Sequence, residues 1–326
     1  MDSYSFVHGG IKDENFLDFS ISVNPIKIDW IEDVIRKEDI FRYTYVEWIE
    51  DKFQKIFGKS VIVAGATEAF HIIGYHILND ACVIIPRPNY SEYFKVAQFS
   101  AKEIKTPWYF VNKDLDLNVI EHEIKLASKK FKKIVLILGN PNNPTGIYKD
   151  LEEFFKLNQN IEIVLDEAFI DFVENPKDYE KFDNVLLIRT FTKFFGIPGI
   201  RVGYVKTKKY KEIFKKYRMS WAIGGMGYTF LNTLLKNIET VNSFKETTIS
   251  FLKEQKERFK EFIYTKSDTN YFLVDVSDID NFLNFCHSRK IHVRDARNFG
   301  LNLVRIGLKD KKSNEKLFNT LRKWRG

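Results

Sequence analysis

One lysine stands in unusual company. Lys193 lies in Thr190-Phe191-Thr192-Lys193-Phe194-Phe195-Gly196, just past an apolar run, Val185-Leu186-Leu187-Ile188, whose pattern predicts a buried strand. Phenylalanines on both sides put its amine in apolar surroundings. Desolvation disfavours an ammonium, so the pKa of such an amine falls. A neutral amine can attack an aldehyde and hold it as a Schiff base. Thr190 and Thr192 place hydroxyls three and one residues before the lysine, and Arg201 places a guanidinium eight residues after it. Two hydroxyl donors and a fixed positive charge suit a phosphate monoester. Read alone, Lys193 better suits a surface lysine in a strand-to-helix loop, since lysine is abundant in this chain.

Other loops carry groups of the same kind, each straight after a predicted strand. Val61-Ile62-Val63-Ala64 runs into Gly65-Ala66-Thr67-Glu68 and a helix to about Leu78. Free N–H groups and the helix dipole there make an anion site around Ala66 and Thr67, although an ordinary capped helix reads the same way. The strand Cys82–Ile85 ends in Pro86-Arg87-Pro88-Asn89-Tyr90, a rigid loop whose Tyr90 ring can stack on a planar ligand or simply pack. Ile134–Leu138 opens into Gly139-Asn140-Pro141-Asn142-Asn143-Pro144-Thr145-Gly146, a tightly fixed turn that offers the Asn143 amide. Ile161–Leu165 leads to Asp166-Glu167, two acids at the mouth of an apolar strand. Open α/β sheets bind ligands beyond the carboxyl ends of their strands. Loops that all carry polar groups at that end therefore point to one site. An aldehyde and a phosphate on one small molecule describe pyridoxal 5'-phosphate (PLP).

The elements that must position these groups alternate strand and helix from about 58 to 206, which argues a mainly parallel sheet with Gly203-Tyr204-Val205 as a further strand. Helical spacing covers 29–38, 116–133 and 149–157. A helix over 47–57 places Trp48, Ile49, Phe53, Ile56 and Phe57 on one face, and Gly58 stops it. From about 207 the texture changes to Lys/Glu-rich helices (208–219, 244–264) and the shorter strands Asn270–Val274 and Leu303–Gly307, which read as a second, α+β domain. Arg294 and Arg305 are its candidate anion ligands, or else surface arginines on edge strands. Residues 1–25, with His8-Gly9-Gly10 and Asp18-Phe19-Ser20-Ile21-Ser22-Val23-Asn24-Pro25, form an arm, a flexible leader, or a strand that joins a later domain. The expected division is an N-terminal arm over 1–40 that belongs to the small domain, a large domain over 41–230 and a C-terminal small domain over 231–326.

Composition sets the class. In 326 residues, 44% hydrophobic and 29% charged suit a folded enzyme with one large core and a smaller domain. Lys+Arg of 51 against Asp+Glu of 44 gives a net charge of +7. The basic runs, such as Lys129-Lys130-Phe131-Lys132-Lys133, alternate with acids and read as solvated faces rather than a nucleic-acid groove. A basic surface still attracts an anionic substrate. Cys82 and Cys286 have no metal or CxxC spacing and read as buried free thiols; no metal motif is present. No signal peptide opens the chain and no apolar run approaches a membrane span, so the expected place is the cytoplasm, with no membrane or nucleic-acid partner. Low Met and Cys with high Lys, Ile and Phe hint at a thermophile.

Asn140-Pro141-Asn142-Asn143-Pro144-Thr145-Gly146, Asp166-Glu167-Ala168, and Thr190-x-Thr192-Lys193 with Arg201 and Gly203, in this order and spacing, resemble the fold-type-I PLP enzymes of the class I/II aminotransferase superfamily over nearly the whole chain. The resemblance implies the PLP-dependent transferase fold: an α/β large domain on a mainly parallel central sheet, plus a smaller α+β domain. It also implies roles. Lys193 would form the Schiff base and shuttle the proton, and Asp166 would pair with the pyridinium nitrogen. Asn143 would hydrogen-bond the phenolic oxygen, and Tyr90 would stack on the ring. Ala66, Thr67, Thr190, Thr192 and Arg201 would hold the phosphate. Tyr43 matches a tyrosine that reaches the partner subunit's phosphate, which implies a homodimer. Arg305 matches the arginine that grips the substrate α-carboxylate. Phe169 departs from the tyrosine found in many relatives and lacks the hydroxyl that would donate to the phenolic oxygen.

Two subfamilies compete. Histidinol-phosphate aminotransferases share the core motifs. Threonine-phosphate decarboxylases, which serve cobalamin side-chain synthesis, are similar over His8-Gly9-Gly10, Asp18-Phe19-Ser20 with Asn24-Pro25, Asp166 to Phe172, and Val293-Arg294-Asp295 with Asn298-Phe299. In that reading Phe169 is expected, and His8, Asn24 and Arg294 grip substrate, with Arg294 suited to its phosphate. The expected activity is L-threonine O-3-phosphate decarboxylation, and the alternative is transamination of histidinol phosphate with 2-oxoglutarate. A transcription regulator built on the same domain would need a DNA-binding domain, for which the chain leaves no room.

Overall fold

The computed structural model describes residues 9–36 and 43–325. Its largest sheet has seven strands: β1 (Ser60–Val63), β2 (Cys82–Ile84), β3 (Glu103–Lys105), β4 (Ile134–Gly139), β5 (Glu162–Asp166), β6 (Val185–Thr190) and β7 (Gly203–Lys206). Their spatial order is β1-β7-β6-β5-β4-β2-β3. β7 runs antiparallel to both neighbours, and the other adjacent pairs are parallel. The central strands read as unbroken apolar runs because both faces are covered. Leu136, Leu138, Ile163, Leu165 and Leu187 enter one core. Val135, Ile137, Val164, Leu186 and Ile188 enter the other. Burying each such side chain contributes about 1.5–3 kcal/mol.

A second, antiparallel sheet follows: β8 (Tyr271–Val274), β9 (Arg294–Asp295) and β10 (Val304–Gly307), in the order β8-β10-β9. The N-terminal segment joins it. Leu17–Asp18 pairs in parallel with Ile291–His292, and the Gly307 N–H donates to the Phe19 carbonyl at 2.8 Å. A Cβ at position 307 would lie 2.2 Å from the Ile21 carbonyl oxygen, so glycine is what lets the arm cross β10.

Element boundaries shift where local signals are weak. The helix expected over 116–133 is Leu117–Ser128, and those over 208–219 and 244–264 are Lys211–Tyr217 and Glu239–Phe259; of the one expected over 29–38, the described residues show Ile31–Arg36. Glu47–Phe57 forms as expected, but only part of its apolar set is inside. Ile49 and Phe53 are buried, whereas Trp48 and Ile56 are 54% and 45% exposed. Trp48 faces outward with Tyr43, Tyr45, Met219 and Trp221, large apolar side chains left exposed among the described residues. The helices Gly225–Lys236, Ile279–His287 and Lys311–Arg325 were not foreseen. The last buries only a thin stripe, including Leu317 and Leu321, among many charges. Among the described residues no helix is long and apolar enough to cross a membrane, and no group of side chains could hold a metal ion.

Candidate active site

β6 ends at Thr190, and a single helical turn, Phe191–Phe194, follows. Its sides diverge. Phe191 and Phe194 are buried in the core together with Phe195, which leaves Thr192 and Lys193 to face a cavity of about 240 Å³. The Thr190 hydroxyl caps the turn, accepting from the Thr192 N–H at 3.2 Å, and lies 2.8 Å from the Thr192 hydroxyl. Burial pushes the Lys193 pKa down to about 8, and Arg305 and Arg201 push the same way; Asp166 opposes them. The amine stands 5.9 Å from the centre of the Phe169 ring, which lines the same cavity.

The anion cup forms where β1 meets the helix Gly65–His76. Ala66, Thr67, Thr190, Thr192 and Arg201 all line the cavity. Gly65 has φ +75°, and a Cβ there would approach the Arg201 guanidinium to 3.2 Å. Arg201 itself has φ +42° and donates to the Thr67 hydroxyl at 3.3 Å.

Asp166 closes β5. Its Oδ2 accepts from the Tyr93 hydroxyl at 2.6 Å and its Oδ1 from the Ala168 N–H at 2.9 Å. Burial raises its pKa, while both donors and Lys193 favour the charged form. Asn143 has its Oδ1 committed to Arg305 Nη1. An arginine only donates, so this contact fixes which way the amide points and leaves Nδ2 as the donor available to a ligand. Arg305 Nη2 donates to the Ser20 carbonyl at 2.9 Å. Arg294 and Arg305 are register partners on β9 and β10, and both line the cavity. Each is buried, and each guanidinium lies over the Phe299 ring, at 5.4 and 6.0 Å.

The structure thus brings Lys193, Asp166, Tyr90, Asn143, the cup residues and both arginines around one cavity. Asn24, expected to hold substrate, is a correction. It does not line the cavity. Its Nδ2 donates to the Phe194 carbonyl at 2.9 Å and lies 3.1 Å from the Thr248 hydroxyl, and its Oδ1 accepts from the Ile26 N–H. The amide is consumed in tying the arm to the lysine turn. Tyr43 lies on the surface, 63% exposed, stacked on Trp221 with centroids 4.3 Å apart. His8 lies outside the described residues. Sequence reasoning missed Tyr93, Ser22 and Phe299, which also line the cavity. The alternation Phe19-Ser20-Ile21-Ser22-Val23 carried a signal for Ser22, whose hydroxyl is buried without a partner among the described residues, as is Arg305 Nε.

This donor set fits PLP. A buried amine of lowered pKa can take the aldehyde, a carboxylate the ring nitrogen, an amide N–H the phenolic oxygen, and the hydroxyl–guanidinium cup the phosphate. Comparison with known proteins agrees. A protein named "Putative threonine-phosphate decarboxylase" from Caldanaerobacter subterraneus subsp. tengcongensis is 28% identical, over 92% of this chain and 88% of its own length. The histidinol-phosphate aminotransferase of Methanocaldococcus jannaschii is 30% identical, over 79% of this chain and 73% of its own. The solved histidinol-phosphate aminotransferase from Sinorhizobium meliloti, in complex with PLP, has the same fold, with a TM-score of 0.77 at 16% identity over 93% of this chain and 88% of that one. Aminotransferase class I and II matches residues 39–321. With its lysine, acid and anion cup gathered at one sheet end, the chain belongs to that family of PLP-dependent enzymes.

Proposed function

We propose that the enzyme decarboxylates a small phosphorylated amino acid, with L-threonine O-3-phosphate as substrate. The observation that carries this reading is the Arg294–Arg305 pair, two buried guanidiniums opposite each other at the cavity wall. Like charges in register are unfavourable unless an anion lies between them. Threonine phosphate brings a carboxylate and a phosphate on one molecule; in the second reading histidinol phosphate brings a phosphate alone, and the two anions come only with the co-substrate 2-oxoglutarate. Phe169, where many relatives have tyrosine, favours the same choice. Transamination of histidinol phosphate with 2-oxoglutarate is the second reading, supported by the aminotransferase relatives.

The cofactor supplies an electron sink for the bond broken at the substrate Cα. The remaining work falls to side chains. Lys193 Nζ would hold the aldehyde and would return a proton to the substrate Cα. Asp166 would keep the ring nitrogen protonated, Asn143 Nδ2 would donate to the phenolic oxygen, and Tyr90 would stack on the ring. Thr67, Thr190, Thr192, Arg201 and the Ala66 N–H would bind the phosphate. Arg305 and Arg294 hold the two substrate anions. The exposed Tyr43, Trp48, Met219 and Trp221 fit a homodimer face across which Tyr43 reaches the partner's phosphate site. The proposed location is the cytoplasm.

The test supplies each substrate in turn. Threonine phosphate is expected to release CO2 and leave an aminopropanol phosphate. Glutamate formation from histidinol phosphate and 2-oxoglutarate, with no CO2 from threonine phosphate, would reverse the assignment.

A further inference from the structure

Two donors reach Asp166, and they differ in kind. The Ala168 N–H belongs to the turn that follows β5. The Tyr93 hydroxyl comes from another element, the helix Ser91–Ala97. Tyr93 is 2% exposed and lines the cavity. Phe70 and Tyr90 hold its ring, with centroids at 5.1 and 5.7 Å. Room for the hydroxyl is made by Gly139 at the end of β4, where a Cβ would lie 3.0 Å from it. The titratable groups around Asp166 are Tyr93, Tyr90, Lys193 and Tyr271. Burial raises the Tyr93 pKa well above that of a free phenol, so this hydroxyl keeps its proton and acts as a donor. A short O–H···O⁻ bond is among the stronger hydrogen bonds a protein makes.

We propose that Tyr93 is a positioning residue for the cofactor's ring nitrogen: by donating to one oxygen of Asp166 it fixes the carboxylate plane and keeps the buried acid charged toward the ring. The inference rests on the reading of Asp166 given above. It adds an element, the helix after the proline loop, to the set that sets the cofactor's electronics.

The experiment compares full-length apo-protein binding PLP with binding an analogue that carries C–H in place of the ring nitrogen. Tyr93→Phe is expected to weaken PLP about tenfold, the share of one charge-assisted hydrogen bond, and to leave the analogue within about twofold. Gly139→Ala, which keeps the hydroxyl but crowds it, is expected to act in the same direction. Asp166→Asn is expected to abolish the preference for PLP over the analogue. Equal weakening of both ligands by Tyr93→Phe would mean that the hydroxyl only packs, and the inference would fall. A preference lost in Asp166→Asn and kept in Tyr93→Phe would refute the role of Tyr93 alone. A preference kept in Asp166→Asn would refute the reading of Asp166 itself.

Discussion

The pKa of Lys193 gives a prediction that can be followed to a number. Burial, Arg305 and Arg201 move it from 10.5 to about 8. At pH 7 roughly one amine in eleven is then neutral, against roughly one in 3,000 for an ordinary lysine, a gain of about 300-fold in the form that attacks an aldehyde. The rate at which apo-protein captures PLP is therefore expected to rise about tenfold per pH unit below 8 and to level off above it. Stopped-flow absorbance on mixing PLP with apo-protein reads this directly. Stability follows the same titration. Between pH 8 and 10.5 the unfolded chain holds the lysine proton and the folded chain has lost it, so stability rises with pH across that window. Below pH 8 the buried charge costs about 3 kcal/mol, and above 10.5 nothing. Arg305→Gln removes a nearby positive charge, so the midpoint of capture is expected to move up. A capture rate that climbs without a plateau to pH 10, or that is unchanged in Lys193→Ala, would refute the argument.

Asn24→Ala is expected to lower the melting temperature by the equivalent of about 1–3 kcal/mol, because it strands the Phe194 carbonyl, while the substrate KM stays within about twofold. Arg294→Gln is expected to raise the KM for a phosphorylated substrate about 10- to 100-fold; steady-state kinetics checks it. Arg189→Met is expected to destabilise by about 3–5 kcal/mol in urea unfolding, since it leaves the fully buried Glu167 carboxylate without the guanidinium 2.7 Å away.

The large sheet was legible because burial on two faces forces continuous apolar strands, and each such strand ended in a polar loop that marked the site. Lys193, Asp166, Asn143 and the cup residues could be read from one run of sequence each. What one run cannot show is a partner brought from elsewhere. Tyr93 sits 73 positions from Asp166, and nothing around it separates a hydroxyl donor from a packing ring. Asn24 is expected to hold substrate on the strength of the decarboxylase-like Asp18-Phe19-Ser20 with Asn24-Pro25; its partners, Phe194 and Thr248, are 170 and 224 positions away. Trp48 and Ile56 obey helical spacing and still face solvent, since periodicity does not say whether an apolar face meets its own chain or another.

Arg305 links these observations. Its Nη1 fixes the Asn143 amide, its Nη2 holds the arm at Ser20, and its Nε is buried without a partner among the described residues. Its neighbour across the sheet is a second arginine. A core selected for stability alone would place apolar residues there, because buried charges seldom repay their desolvation. Under the proposed function, the guanidinium that would meet the substrate's anions is the one that orients the Asn143 amide. Substrate binding, the amide donor turned to the cavity and the arm's docking would then depend on one side chain, so a ligand lacking either anion is expected to lose more than a single contact.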